Sequence, residues 1–281
     1  MTNAYTERDV EDFFDQTLQN YLGFWDSDGV LHTGYFSGED DNDYRAAAER
    51  TSAVLAADAG IDGSSYVLDV GSGCGNFLTY LAERFGCRGE GLDLSEERVK
   101  FAQRRLADGD RGLRIGFRHG SVTQMPFESG TFSHVVSQDA LFLVPDKPRS
   151  HAEMHRVLKP GGILAVSDFL QPTQKISERA REHVYDRVRW SGGYSLAGYR
   201  AALEAAGFEI IVVRDLDRHI RRTYELLGMT ATERAATTAD PAAREWMLAF
   251  AKSCAEIGTA IDHGEFSWGM ITARKPHDPT A

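Results

Sequence analysis

The stretch Tyr66-Val-Leu-Asp-Val-Gly-Ser-Gly-Cys-Gly-Asn-Phe77 constrains the fold of this chain more than any other. Tyr66 to Val70 is a short apolar run holding one acid, Asp69, the pattern of a central parallel strand buried on both faces. Gly71, Gly73 and Gly75 follow at every second position, and a helical pattern opens at Asn76. Glycines there let the backbone turn sharply and admit a ligand close to the main chain. The free N–H groups of the helix start then face that ligand. A tight strand-to-helix turn without a ligand gives the same pattern, so this stretch alone leaves both readings open.

Arg88-Gly-Glu-Gly-Leu-Asp93 reads as a second strand ending in an acid, with Leu94 and Ser95 as the cap of the next helix. An acid about 20 residues beyond a glycine turn suits hydrogen bonding to ribose hydroxyls. The nicotinamide fingerprint requires G-x-G-x-x-G, whereas position 76 is Asn. The spacing G-x-G-x-G favours an adenosine with no pyrophosphate to cradle.

Strands and helices alternate from Tyr66 onward, the signature of parallel βαβ units. Helices are predicted over Asn76–Phe85, Ser95–Ala107 and Pro148–Leu158, and strands at Leu113–His119, Phe132–Ser137 and Ile163–Asp168. The alternation breaks from Phe169 to Tyr194, a segment holding Trp190 with no clear strand. Ser195 caps a helix to Ala206, Phe208–Arg214 is a sixth strand, and Phe266–Lys275 closes as a seventh, antiparallel one. Between them, residues 216–264 form a mostly helical excursion that suits either a lid or a dimer contact. Ahead of the first strand lie an amphipathic helix over residues 6–21, a loop carrying Trp25, His32, Tyr35 and Phe36, and a helix from Tyr44 that Asp40–Asp43 caps. The last few residues read as a loose tail.

Met125-Pro-Phe127, Thr131-Phe132 and Arg156-Val-Leu-Lys-Pro-Gly-Gly162 are similar to successive motifs of class I S-adenosylmethionine-dependent methyltransferases. The resemblance runs from about Tyr66 to Arg214. Locally, Ser137-Gln-Asp-Ala140, Pro145-Asp-Lys147 and Phe266-Ser-Trp-Gly269 resemble the sarcosine and dimethylglycine N-methyltransferases and, more loosely, the phosphoethanolamine methyltransferases. The resemblance implies an α/β, Rossmann-like seven-stranded sheet with helices on both faces and a helical lid. Residues 1–60 would be the N-terminal lid segment and 61–281 the main domain, with insertions at about 169–194 and 216–264. It also implies S-adenosyl-L-methionine as cofactor, leaving S-adenosyl-L-homocysteine, with Asp69, Gly71, Ser72, Gly73, Asp93, Leu94, Ser121, Val122, Gln138 and Tyr21 around it. Many relatives carry an acid near position 121 that reads the adenine amino group, and here that place is Ser121.

The 281 residues are 42% hydrophobic, enough for a full core, and no apolar run approaches the roughly 18 residues of a membrane helix. The N-terminus shows no charged-then-apolar signal region. Cys74, Cys87 and Cys254 have neither paired nor metal-like spacing, so a reduced cytoplasmic compartment and no bound metal are expected. A net charge of −11 argues against a nucleic-acid partner. A homodimer stays open.

Displacement at a sulfonium methyl needs an aligned nucleophile at about 3–3.5 Å and exclusion of water. An amine nucleophile would also need a base or a desolvated site. The phosphoethanolamine enzymes pair a tyrosine with a histidine for that proton. Those places fall here on Phe13 or Phe14 and on Leu143. The pocket is therefore expected to suit an apolar or aromatic acceptor, with Trp25, Tyr35, Phe142, Leu143, Trp190 and Tyr194 against it. The catalytic candidates are Asp139, Gln138 and His32. Asp139 would orient or deprotonate the acceptor or else cap the turn after the fourth strand, and His32 would touch substrate or be structural. Three readings follow: methylation of a specialised metabolite at carbon or nitrogen, N-methylation of an amino-acid-type amine such as sarcosine, and a non-catalytic cofactor-binding subunit.

Overall fold

Strand β1 (Tyr66–Val70) lies between β2 (Arg88–Asp93) and β4 (Phe132–Gln138) and runs parallel to both. Val67, Leu68 and Val70 have no solvent exposure. Val67 packs into one helical layer and Leu68 and Val70 into the other, as side chains alternating across a two-sided strand must. The computed structural model describes residues 5–25, 27–38, 40–109 and 112–277, so the tail expected at the C-terminus lies mostly outside the described residues. Among these, seven strands form one sheet in the order β3-β2-β1-β4-β5-β7-β6. The outer members are β3 (Ile115–His119), β5 (Leu158–Leu170), β6 (Glu209–Asp215) and β7 (Ser267–Arg274). Strand β7 is inserted between β5 and β6 and runs antiparallel to both.

The helices begin where local chemistry starts them. Gly75, at φ 81°, leads into α3 (Asn76–Phe85), once α1 (Glu7–Phe24) and α2 (Tyr44–Ala59) have preceded the sheet. A Cβ on Gly75 would stand 2.6 Å from the Phe117 ring, so only glycine lets α3 pack this close to β3. The Ser95 hydroxyl accepts from the Arg98 N–H at the start of α4 (Glu96–Asp108), with Glu96 and Glu97 in the favourable first turn. Asp43 caps α2 and Asp146 caps α5 (Lys147–Val157) in the same manner. Pro148 sits inside the first turn of α5, where its missing N–H costs nothing, so the helix starts one residue earlier than the sequence suggested. Strand β5 is longer than expected at both ends: Leu158 already pairs with Phe132 of β4 across an irregularity, and the C-terminal half keeps pairing with β7 as far as Leu170.

The segment after β5 is helical in short pieces: α6 (Glu178–Ala180), then a wide turn at Arg181–Tyr185 and a tight one at Asp186–Val188. The Tyr185 hydroxyl donates to the Glu265 carbonyl at 2.6 Å and ties this piece to the start of β7. Ser195 caps α7 (Leu196–Ala205). Residues 216–264 fold as the paired helices α8 (Asp217–Thr237) and α9 (Pro241–Asp262). Helix α8 meets the N-terminal loop directly: Gly34 N–H donates to Thr223 Oγ1 at 3.1 Å and Phe36 N–H to His219 Nδ1 at 3.0 Å. No helix of the described residues is long and apolar enough to cross a membrane.

Candidate active site

The carboxyl ends of β1, β2 and β4 open into one cavity, roofed by α1, by the loop through His32, and by the segment around Val188. Ligands of open α/β sheets bind at this edge. At its centre Asp93 Oδ2 accepts the Gly73 N–H at 2.7 Å, while Oδ1 accepts the Ser95 N–H at 2.8 Å. One carboxylate thus fixes both the glycine turn and the start of α4. Gly73 has φ 52°, and a Cβ built on it would find only Arg98 Nη1, at 3.7 Å. The space beside this glycine is open.

Several buried polar atoms on the cavity wall have no hydrogen-bond partner among the described residues: Asp69 Oδ2, Ser72 Oγ, Gln138 Oε1, Trp25 Nε1 and Arg98 Nε. Buried polar atoms are nearly always satisfied, so a cluster of orphans around one cavity marks where a polar ligand fits. Burial, and then the nearby Asp93 charge, push the Asp69 carboxyl up to about 8.

Asp139 follows β4 directly with φ 50°, unusual for a residue with a side chain. Its Oδ1 accepts from Ser167 Oγ at 2.8 Å and Trp268 Nε1 at 2.7 Å, and its Oδ2 from the Thr33 N–H at 2.7 Å. Three donors occupy a group read in the sequence as a candidate base. The carboxylate acts here as a clamp between β5, β7 and the N-terminal loop. Behind the next turn, Lys147 Nζ donates to the Phe142 and Val144 carbonyls, both at 2.9 Å, and holds Phe142 and Leu143 on the wall. Burial drives the Lys147 ammonium pKa down.

Residues 67–162 match the methyltransferase domain family. Over 275 residues the chain is 27% identical to a sarcosine/dimethylglycine N-methyltransferase of Halorhodospira halochloris, covering 96% of this chain and 94% of that one. The chain carries the methyltransferase domain of the S-adenosylmethionine-dependent enzymes. Two solved structures show how widely its fold is shared. That of the [4+2]-cyclase SpnF superposes with a TM-score of 0.84 at 21% identity, covering 98% of each chain. Geranyl diphosphate C-methyltransferase from Streptomyces coelicolor A3(2), in complex with Mg2+, geranyl diphosphate and S-adenosyl-L-homocysteine, gives 0.74 at 17% identity, covering 98% of this chain and 99% of that one.

The cofactor of the methyltransferase is S-adenosyl-L-methionine, and the orphaned atoms and the open Gly73 suit a polar ligand of this kind. The cavity brings together Tyr21, Trp25, His32, Asp69, Gly71, Ser72, Gly73, Asp93, Leu94, Ser121, Val122, Gln138, Asp139, Phe142 and Leu143. Gln138 also donates from Nε2 to Ser52 Oγ at 3.2 Å. His32 is half-buried, with Nδ1 3.4 Å from the Thr33 carbonyl oxygen.

Three residues expected against the acceptor lie off the wall. Tyr35 stacks on His219 with ring centroids 4.1 Å apart, because its loop is pinned to α8. Trp190 stacks on Tyr185 at 4.3 Å and meets only the edge of Phe142, one layer behind the wall. Tyr194 turns to Tyr199 and His151 over the opposite core. In each case aromatic character signalled packing. Conversely, the sequence reading missed Glu7, Arg187 and Tyr224, which do line the cavity. Glu7 and Tyr224 sit on elements far in sequence from the motifs, and Arg187 lies in a segment without periodicity, so no local pattern marked them.

Proposed function

We propose that this methyltransferase alkylates carbon or nitrogen of a small, largely apolar or aromatic specialised metabolite. One observation carries the reading: the wall beyond the glycine turn is built from Leu31, Phe142, Leu143, Val144, Phe169 and Val188, while the nearest carboxylate, Asp139, is engaged by three donors. An acceptor whose own π electrons attack needs alignment and a dry site more than a base.

In this reading Asp93 takes the ribose hydroxyls, Leu94 and Val122 flank the base, and Gly71–Gly73 admit the amino-acid end beside Asp69 and Gln138. When bound, S-adenosylmethionine supplies a sulfonium methyl already activated for displacement. The chain's own residues position, enclose and dehydrate. Residues 1–60 serve as the lid over the body formed by 61–281, and the Asp139 clamp holds that lid where His32 and Leu31 face the acceptor.

A second reading, N-methylation of an amino-acid-type amine such as sarcosine, is favoured by Arg187. Arg187 lines the same wall, its Nε donates to the His183 carbonyl at 3.2 Å, and among the described residues no carboxylate forms an ion pair with it, so its remaining donors suit a substrate carboxylate. Incubating the enzyme with methyl-labelled cofactor and a panel of glycine derivatives, indoles and polyketide-like compounds, read by mass spectrometry, tests both. Label in an apolar compound supports the first reading, and label confined to glycine derivatives replaces it with the second. A compound converted without gaining label would replace methyl transfer by a cofactor-dependent rearrangement.

A further inference from the structure

The cavity has one end that the acceptor and the ribose acid leave unexplained. Strand β3 lies next to β2, so a nucleoside whose ribose meets Asp93 extends its base outward, over the loop that follows β3. That end is walled by Leu94 and Val122 and edged by Gly120, Ser121 and two acids of α1, Glu7 and Glu11. A purine carrying an exocyclic amino group needs an acceptor at its rim, and among the side chains of Gly120–Thr123 the loop offers the neutral hydroxyls of Ser121 and Thr123 and no carboxylate.

Those hydroxyls are turned toward Glu7. Its Oε1 accepts from Ser121 Oγ at 2.7 Å and from Thr123 Oγ1 at 3.0 Å. No donor among the described residues is bonded to its Oε2, which keeps its lone pairs for a donor from the cavity. The carboxylate is held in place by more than these two bonds. The Thr6–Asp9 capping box fixes the first turn of α1, Ser95 Oγ donates to Asp15 one face along, and the Arg98 guanidinium covers the Phe14 ring at 4.2 Å. Glu11 is differently disposed, its Oε1 lying 3.1 Å from His119 Nε2.

We infer that Glu7, delivered by the N-terminal helix and aimed by Ser121 and Thr123, reads the amino group of the cofactor's adenine. The inference rests on the cofactor reading given above and goes beyond it by assigning base recognition to the lid. Recognition of the base and docking of α1 then become one event, because the carboxylate reaches the base only when α1 lies on α4 and the β3 loop. Cofactor and lid are coupled by the differential contact each makes in the closed state.

The test compares S-adenosylhomocysteine with its 6-oxo counterpart, S-inosylhomocysteine, by calorimetry on the full chain. The wild type should prefer the amino base by about ten- to a hundredfold, the range of a hydrogen bond to a charged group. In Glu7→Ala and in Glu7→Gln, with folding checked by thermal melting, that preference should collapse, whereas in Glu11→Ala it should persist. Equal weakening of both ligands, leaving the ratio at its wild-type value in the two Glu7 variants, would reduce Glu7 to a docking contact and overturn the inference while leaving the cofactor site intact. Loss of the ratio in Glu11→Ala alone would overturn it too. Failure of the wild type to bind S-adenosylhomocysteine at all would remove the cofactor reading, and this inference with it.

Discussion

The indole Nε1–H of Trp268 donates to Oδ1 of Asp139 at 2.7 Å, joining β7 to the end of β4 across the intervening β5. The two residues are 129 apart in sequence. Ser167 of β5 donates to the same oxygen, and Thr33 brings the N-terminal loop to the other. Asp139→Asn would place an amide N–H₂ where an acceptor is needed and leave one of three donors unpaired, at about 1–3 kcal/mol. The expected outcome is a lower unfolding midpoint in urea with a raised KM for the acceptor. A hundredfold or larger fall in kcat with stability unchanged would instead make Asp139 a chemical participant.

Asp93→Ala should weaken S-adenosylhomocysteine binding. If both oxygens meet ribose hydroxyls, the loss is about 1.5–3 kcal/mol for each bond. The structure adds a second cost, since the variant also releases the Gly73 and Ser95 N–H groups that Asp93 holds. Calorimetry checks this, and an unchanged dissociation constant would take Asp93 out of the site.

Gly73→Val should abolish cofactor binding and leave a folded protein. The nearest atom to the added Cβ is the mobile end of Arg98 at 3.7 Å, so the branched side chain fills cavity and not core. The left-handed φ of 52° adds strain confined to the turn. A single cooperative melt, lowered by a few degrees by that strain of about 1–3 kcal/mol, with no calorimetric heat of binding is the expected result.

These two sites were legible in the sequence because their chemistry is local. Gly71, Gly73 and Gly75 fall within one turn, and Asp93 closes the next strand at a fixed interval. The clamp was not legible. Asp139 was visible as an acid after β4, but the partners that make it structural, Thr33 and Trp268, come from residues 106 and 129 positions away. Likewise the seventh strand and its antiparallel sense followed from the motif order, whereas the packing of Trp190 behind Phe142 depends on which face of an irregular segment turns inward. Periodicity carries no information on that choice.

His219 makes the contact between α8 and the N-terminal loop sensitive to acid. Burial, and then the charge of Arg218, push its pKa down to about 4, and the Phe36 N–H is donated to its Nδ1. In the unfolded chain it titrates near 6.5, so between pH 6.5 and 4 the unfolded state binds more protons. Stability should therefore be full above about pH 6.5 and fall as the pH drops toward 4. His151, also held at about 4 by burial, contributes in the same window. His219→Phe keeps a ring against Tyr35 but removes one titration, so its melting temperature should depend less steeply on pH between 6.5 and 4.5 than that of the wild type. Parallel slopes would contradict the assignment.

Leu143 lines the cavity at the end of the short turn Leu141–Leu143. Leu143→His should reduce turnover of the native acceptor more than it reduces cofactor affinity. Burying an unpaired imidazole costs about 1–3 kcal/mol, and that cost falls on the acceptor side. The wild-type pH–rate profile separates the two acceptor classes. An aromatic carbon acceptor attacks with its π electrons and loses its proton afterwards, so the profile should be flat near neutrality. An ammonium acceptor must first lose a proton, so its rate should rise with pH. A rising profile, measured on the best acceptor with the chemical step shown to limit the rate, would sink the carbon-acceptor reading and return Arg187 to the role of holding an amino acid's carboxylate.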